Sequence, residues 1–311
     1  METPLPNQRN GRIVAISNQK GGSAKTMTAI NLGEACGRVK YKVLIVDLDG
    51  QGNATTSLGV KAEDLPQDGS LFNVFMGEQV DIRKMIRKSN REKLQMDLIP
   101  TSEDLQQMDV GILELGIRRG IVRGRAGESE ADLDPFVRDA IQTIYFHLSE
   151  ALEPLRADYD LILLDCPPGY NCVTGNALLA SDCVIIPLDS GPWSYGGAKS
   201  ALKHFETLQD VFGKTVMTLG ILLCKFKPKQ RLHQQILSLL ETHYASLLFE
   251  TTISESVRFT EAAGNKKSLR EWDNRRESLA GDYEKLAVEV LKRLKLSPPL
   301  PEATNPEQPS V

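Results

Sequence analysis

The sequence predicts an α/β fold, a doubly wound and mostly parallel sheet with helices on both faces. Two observations predict it. Short, near-continuous apolar runs recur along the chain, at Ile13–Ile16, Val43–Val46, Leu98–Ile99, Leu161–Leu164, Val184–Pro187 and Leu219–Leu223, with amphipathic helix-like segments between them. Strands covered on both sides read as such runs, whereas strands with one wet face alternate. The first run is also followed by a turn of glycines and small residues, a Lys-Thr pair and a helix-like pattern. In such sheets ligands bind beyond the carboxyl ends of the strands, which is where the candidate motifs fall.

The run Ile13-Val14-Ala15-Ile16 leads into Ser17-Asn18-Gln19-Lys20-Gly21-Gly22-Ser23-Ala24-Lys25-Thr26, the layout of a phosphate-binding loop. Gly21, Gly22, Ser23 and Ala24 let backbone N–H groups turn toward phosphate oxygens at the positive end of the helix beginning near Lys25, followed by Met27. Lys25 places its ammonium on the β- and γ-phosphates, and the Thr26 hydroxyl suits a Mg²⁺ shell. Two positions depart from G-x-x-x-x-G-K-[ST]: Gln19 stands at the first glycine and Ala24 at the last. Read alone, the segment is also compatible with a glycine-rich strand-to-helix turn.

The second run ends in Asp47-Leu48-Asp49-Gly50-Gln51-Gly52-Asn53. Strand alternation puts Asp47 and Asp49 on one face, both facing the phosphate site. A carboxylate there orients an attacking water, although strand-end aspartates also serve as turn and helix caps. Gly50 is expected to loosen this turn. The run Leu161–Leu164 ends in Asp165-Cys166-Pro167-Pro168-Gly169. Asp165 has the position of a carboxylate that holds Mg²⁺ directly or through water, and the two prolines stiffen the segment beyond the strand.

The extra lysine, Lys20, in the order Lys-Gly-Gly-x-x-Lys-Thr, resembles the deviant Walker A loop of the ParA/MinD family of P-loop ATPases. Asp-Leu-Asp-x-Gln-Gly-Asn from Asp47 resembles the family's switch I, and Asp165-Cys166-Pro167-Pro168 its switch II. Asn176-Ala177-Leu178, Leu98-Ile99-Pro100, Ile186-Pro187, Ser256–Ala262 and Tyr283–Val290 extend the resemblance from about residue 12 to 296, most closely to ParA/Soj-like partitioning ATPases. It implies one ATPase domain over 12–296, ATP and Mg²⁺ as ligands, and a homodimer sandwiching two ATP molecules. It further implies that Lys20 reaches the partner's phosphates, that Asp49 serves hydrolysis, and that Thr26, Asp49 and Asp165 serve the metal. Weak intrinsic turnover, stimulation by a ParB-like partner and DNA binding without sequence preference belong to the same implied picture.

Composition bounds these expectations. The 311 residues carry a net charge of −4, so DNA binding needs a local basic patch. Lys225, Lys227, Lys229 and Arg231 gather in one stretch, followed by Arg258, Lys266, Lys267 and Arg270. By the resemblance these bind DNA; as a bare charge cluster they are a solvated face. Glu255 stands where the family carries a basic residue. About a dozen residues precede the first strand, too few for a helix-turn-helix. No apolar stretch approaches the roughly 20 residues of a membrane span, and the first residues lack the regions of a signal peptide. A cytoplasmic, nucleoid-associated protein without stable membrane association is the expectation, with a protein-positioning or membrane-associated ATPase as the alternative. Five scattered cysteines lack C-x-x-C spacing and are read as structural. Residues 1–11 and the Pro-rich 297–311 are expected to be disordered tails. The polar, glycine-containing stretch near 111–140 is read as a solvated insertion or a partner-binding loop.

Overall fold

A computed structural model of the chain describes residues 10–61, 69–91, 94, 96–108, 135–265, 267–272 and 279–296. Seven strands form one sheet: β1 (Arg12–Ile16), β2 (Val43–Asp47), β3 (Arg87–Lys88), β4 (Met96–Ile99), β5 (Leu161–Asp165), β6 (Cys183–Asp189) and β7 (Met217–Cys224). Their order is β3-β4-β2-β5-β1-β6-β7. Every pairing is parallel except β3 with β4.

All six expected strands are present, and their residues alternate between two apolar clusters. Ile13, Leu44, Val46, Ile162 and Leu164 face one, and Val14, Ile16, Val43, Ile45, Leu161 and Leu163 face the other. Burial on both sides is why the strands carry no polar alternation. The helices are α1 (Lys25–Arg38), α2 (Asn53–Ser57), α3 (Leu71–Phe75), α4 (Pro135–Leu152), α5 (Cys172–Ala180), α6 (Ser194–Phe212), α7 (Arg231–Tyr244), α8 (Arg258–Gly264), α9 (Leu269–Trp272) and α10 (Leu279–Leu294). Helix α5 is buried throughout and starts at Asn171, whose side chain accepts from the Thr174 N–H at 2.9 Å.

Helix α10 packs against α1 and buries Tyr283, Leu286, Ala287, Val290 and Leu294. Its apolar face is therefore used by the core. Among the described residues no helix is long and apolar enough to cross a membrane.

Two boundaries differ from the sequence expectation. Gly11, placed in the N-terminal tail, is held by the sheet's rim: its N–H donates to Arg156 O at 2.9 Å, and its carbonyl accepts from the Arg156 guanidinium at 2.8 Å. Residues 135–140, assigned to the insertion, open helix α4 with proline at its first position. The rest of that insertion, residues 1–9 and residues 297–311 lie outside the described residues.

Candidate nucleotide-binding site

Strand β1 runs into the 17–24 loop in the interior of the sheet, flanked by β5 and β6. Asn18 pins the entry: its Nδ2 donates to Pro187 O at 2.6 Å, and its Oδ1 accepts from the Lys20 N–H at 3.1 Å. Gly22 and Ala24 both have left-handed backbones, with φ of 71° and 74°. Gly22 takes this at no steric cost, whereas Ala24 occupies a glycine's conformation. A Cβ built at Gly21 or Gly22 would meet nothing within 4 Å, so the loop's concave side is open. Lys25 is buried, and its Nζ donates to the carbonyls of Asn18 and Lys20, each at 3.1 Å. Burial pulls its pKa below the ordinary lysine value, opposed by the charge of Asp165.

The register places Asp47 on β2 beside Asp165 on β5, yet the two carboxylates have different surroundings. Asp47 Oδ2 accepts from the N–H and hydroxyl of Thr55, both at 2.7 Å, and its Oδ1 accepts from the Asp49 N–H at 3.2 Å. Asp47 thus anchors α2 and does not line the cavity, contrary to the shared face expected for Asp47 and Asp49. The strand ends at Asp47, so alternation does not extend to Asp49. Burial raises the Asp47 pKa to about 6. Asp165 is fully buried, and neither carboxylate oxygen has a hydrogen-bond partner of normal geometry among the described residues. Burial and then the Asp47 charge raise its pKa; the nearby Thr26 hydroxyl and Lys25 ammonium pull the other way.

Gly50 does not loosen the switch I turn. A Cβ there would lie 2.5 Å from Gln106 Cγ, and Gln106 Nε2 donates to Gly50 O at 2.8 Å. The absent side chain admits Gln106, which clamps the turn.

These residues fit a nucleotide with Mg²⁺. Among the described residues, a buried carboxylate with both oxygens unpartnered, the buried Ser23 hydroxyl likewise without a partner, and an open loop cradle together supply hard oxygen ligands and room for phosphates. Among the described residues no three His, Cys, Asp or Glu side chains cluster for a metal.

A cavity of about 770 Å³ opens over the loop and is lined by every residue from Gly21 to Met27, with Asp49 and Pro168. Its other wall is made by Lys225, Lys227, Ser254, Glu255, Ser256, Val257 and Phe259, the last three from the Ser256–Ala262 motif. Two of the basic residues expected at a DNA surface therefore face the nucleotide cavity. Lys225, itself at φ 55°, donates from Nζ to Gly22 O at 2.7 Å, and Lys227 pairs with Glu255. Arg258 pairs with Glu261 at 3.7 Å and Arg270 with Glu284 at 3.2 Å, while Lys267 stands over the Trp272 ring. Lys229 is exposed at the turn before α7, and Arg231 begins that helix. Lys266 lies outside the described residues.

Lys20 does not point into the cavity of its own chain. Its Nζ pairs with Asp189 at the end of β6. Gln19 accepts from the Gly169 N–H at 2.9 Å through its carbonyl, and its side chain accepts from the Ser200 hydroxyl at 3.4 Å, so this position joins the loop to switch II and α6. Asp189 belongs to none of the sequence motifs; its one signal is an acidic residue ending the apolar run of β6, at the ligand-binding edge of a parallel sheet.

A family model described as an AAA domain matches residues 11–218. The sporulation initiation inhibitor protein Soj of Bacillus subtilis is 31% identical over 280 residues, which span 90% of this chain and 98% of Soj. The chromosome partitioning protein ParA of Caulobacter vibrioides is 30% identical over 288 residues, spanning 91% of this chain and 94% of its own. Cobyrinic acid a,c-diamide synthase from Mycobacterium smegmatis, solved with a bound ATP analogue and magnesium, superposes with a TM-score of 0.68 at 26% identity. That superposition covers 92% of this chain and 96% of the synthase.

Proposed function

The chain belongs to the ParA/Soj family of P-loop ATPases, and on that premise we propose that it is an ATP-driven positioning switch that segregates DNA. ATP and Mg²⁺ are its ligands. Two copies sandwich two ATP molecules, the dimer holds DNA through phosphate contacts, and a ParB-like partner triggers hydrolysis and release. The observation carrying this reading is the convergence of Lys25, Thr26 and Asp49 on one cavity, with the unpartnered carboxylate of Asp165 behind it.

The side chains divide the work. Lys25 leaves the carbonyls of Asn18 and Lys20 for the β- and γ-phosphates, where its charge is better compensated. Backbone N–H groups from Gly21 to Thr26 cradle phosphate oxygens. The Thr26 hydroxyl and Asp165, directly or through water, with Asp49 as the other candidate ligand, would hold Mg²⁺, which would supply positive charge to the phosphates. Asp49, at the cavity wall, orients the attacking water and takes up its proton. Lys20 crosses to the partner's nucleotide.

The test is ATP-dependent retention on non-specific DNA together with phosphate release. Asp49→Ala should lower hydrolysis by about a hundredfold or more while leaving ATP-bound dimers on DNA, and Lys25→Gln should abolish dimerisation. DNA retention that needs no ATP and ignores salt overturns the reading.

A further inference from the structure

Lys20 and Asp189 lie 169 residues apart in sequence, and the order β5-β1-β6 makes them neighbours. The lysine Nζ sits on Asp189 Oδ2, while Asp189 Oδ1 accepts from the Ser194 hydroxyl at 3.0 Å at the start of α6. The Ser194 hydroxyl shares its one proton with the nearer carbonyls of Asp189 and Gly191, the latter at 2.6 Å, so Lys20 is the carboxylate's main partner. The Asp189 side chain is 21% exposed against 48% for Lys20, so the acid is the rigid member of the pair and the base the mobile one. A second cation, Lys225, bound to Gly22 O, adds its field to the same carboxylate. Among the described residues Asp189 is the acid that pairs with the Lys20 ammonium.

From this geometry we propose that Asp189 is a positioning residue that parks Lys20 within its own subunit, so that the lysine crosses to a second copy of this chain only when the partner's nucleotide phosphates outcompete the carboxylate. The inference rests on the proposed crossing role of Lys20. Its chemistry is a simple exchange of anions. An ammonium on one carboxylate moves to a polyphosphate when the phosphate oxygens offer more negative charge, and no covalent step is involved. The carboxylate thereby sets a threshold for dimerisation: the monomer is stabilised by an ion pair that the dimer gives up, twice per dimer.

The full-length chain tests this with a slowly hydrolysed ATP analogue and Mg²⁺ at low salt, the dimer dissociation constant being read by analytical ultracentrifugation. Asp189→Asn keeps the shape and the Ser194 contact while removing the charge. An ion pair of this exposure is worth a factor of about two to five, and two are released, so the dissociation constant should fall by about fourfold to twenty-fivefold. The gain should shrink in high salt and be absent when Asp189→Asn is placed on Lys20→Ala. A purely structural role for Asp189 would give a change that does not depend on salt. Asp189→Ser serves as the second variant. An unchanged or weaker dimer in both Asp189 variants, with Lys20→Ala unable to dimerise, overturns the parking role alone; wild-type dimerisation by Lys20→Ala overturns the crossing reading beneath it.

Discussion

Ala24 holds a backbone conformation, φ 74° and ψ 25°, that suits glycine. A side chain in the left-handed region costs roughly 1–2 kcal/mol, partly offset because glycine loses more entropy on folding. The methyl group packs toward the apolar cluster beneath the loop, so the cost is conformational more than a crowding of the cradle. Ala24→Gly should therefore stabilise the nucleotide-free chain by up to about 1 kcal/mol, a rise of about 1–2 °C in Tm by differential scanning calorimetry. An unchanged or lower Tm would show that the methyl's packing outweighs its strain. Lys25, Thr26, Asp49 and Asp165 were legible in the sequence because each belongs to a local strand-and-turn motif whose chemistry is carried by adjacent residues. Asp189 was not, and Lys225 was read only as part of a DNA surface, because their closeness to the loop depends on the order β1-β6-β7, which spacing along the chain does not encode.

At the scale of elements, strand burial governed what could be read. β1, β2, β5, β6 and β7 stand out as apolar runs because each is buried on both faces, and β4 appeared only by its last two residues because Asp97 interrupts its pattern. That carboxylate is buried where it accepts from the Tyr159 hydroxyl at 2.8 Å. β3 is two polar residues at the sheet's antiparallel edge and leaves no periodicity to find. A buried ion pair ties helix α1 to the segment between β3 and β4: Arg91 Nε donates to Glu34 Oε1 at 2.6 Å, with both side chains about 5% exposed. Burial raises the Glu34 pKa, and Arg91 is what holds it down. Arg91→Met should cost about 3–5 kcal/mol at neutral pH, since it strands a buried charge. The variant's Glu34 pKa rises further, and a raised folded-state acid stabilises fully below its unfolded value of about 4.5 and loses that stability as pH climbs through the folded pKa. Urea midpoints at pH 5 and pH 8 should show the larger deficit at pH 8, and Glu34→Gln added to Arg91→Met should remove that difference.

Across the whole molecule, acids and bases are paired where the expected DNA surface lies, and the net charge is −4. Lys227 with Glu255, Arg258 with Glu261 and Arg270 with Glu284 are each half-exposed pairs on loops and helices beyond β7. Such pairs contribute little to stability, but each commits a cation that a DNA phosphate would otherwise engage. The Lys227–Glu255 pair also stands on the cavity wall, so the nucleotide cavity and the expected DNA surface share one charged border. Glu255→Gln should free Lys227 without disturbing the phosphate loop. If the chain binds DNA with this border, the logarithmic salt slope of ATP-dependent binding should steepen by about 1, the value for one added phosphate contact. Binding should tighten several-fold at low salt and converge with wild type at high salt. Fluorescence anisotropy on a labelled duplex of arbitrary sequence, titrated over a salt series with a slowly hydrolysed ATP analogue, measures both quantities. An unaltered slope would place the DNA contact on other basic residues, with Lys229 and Arg231 the next to substitute.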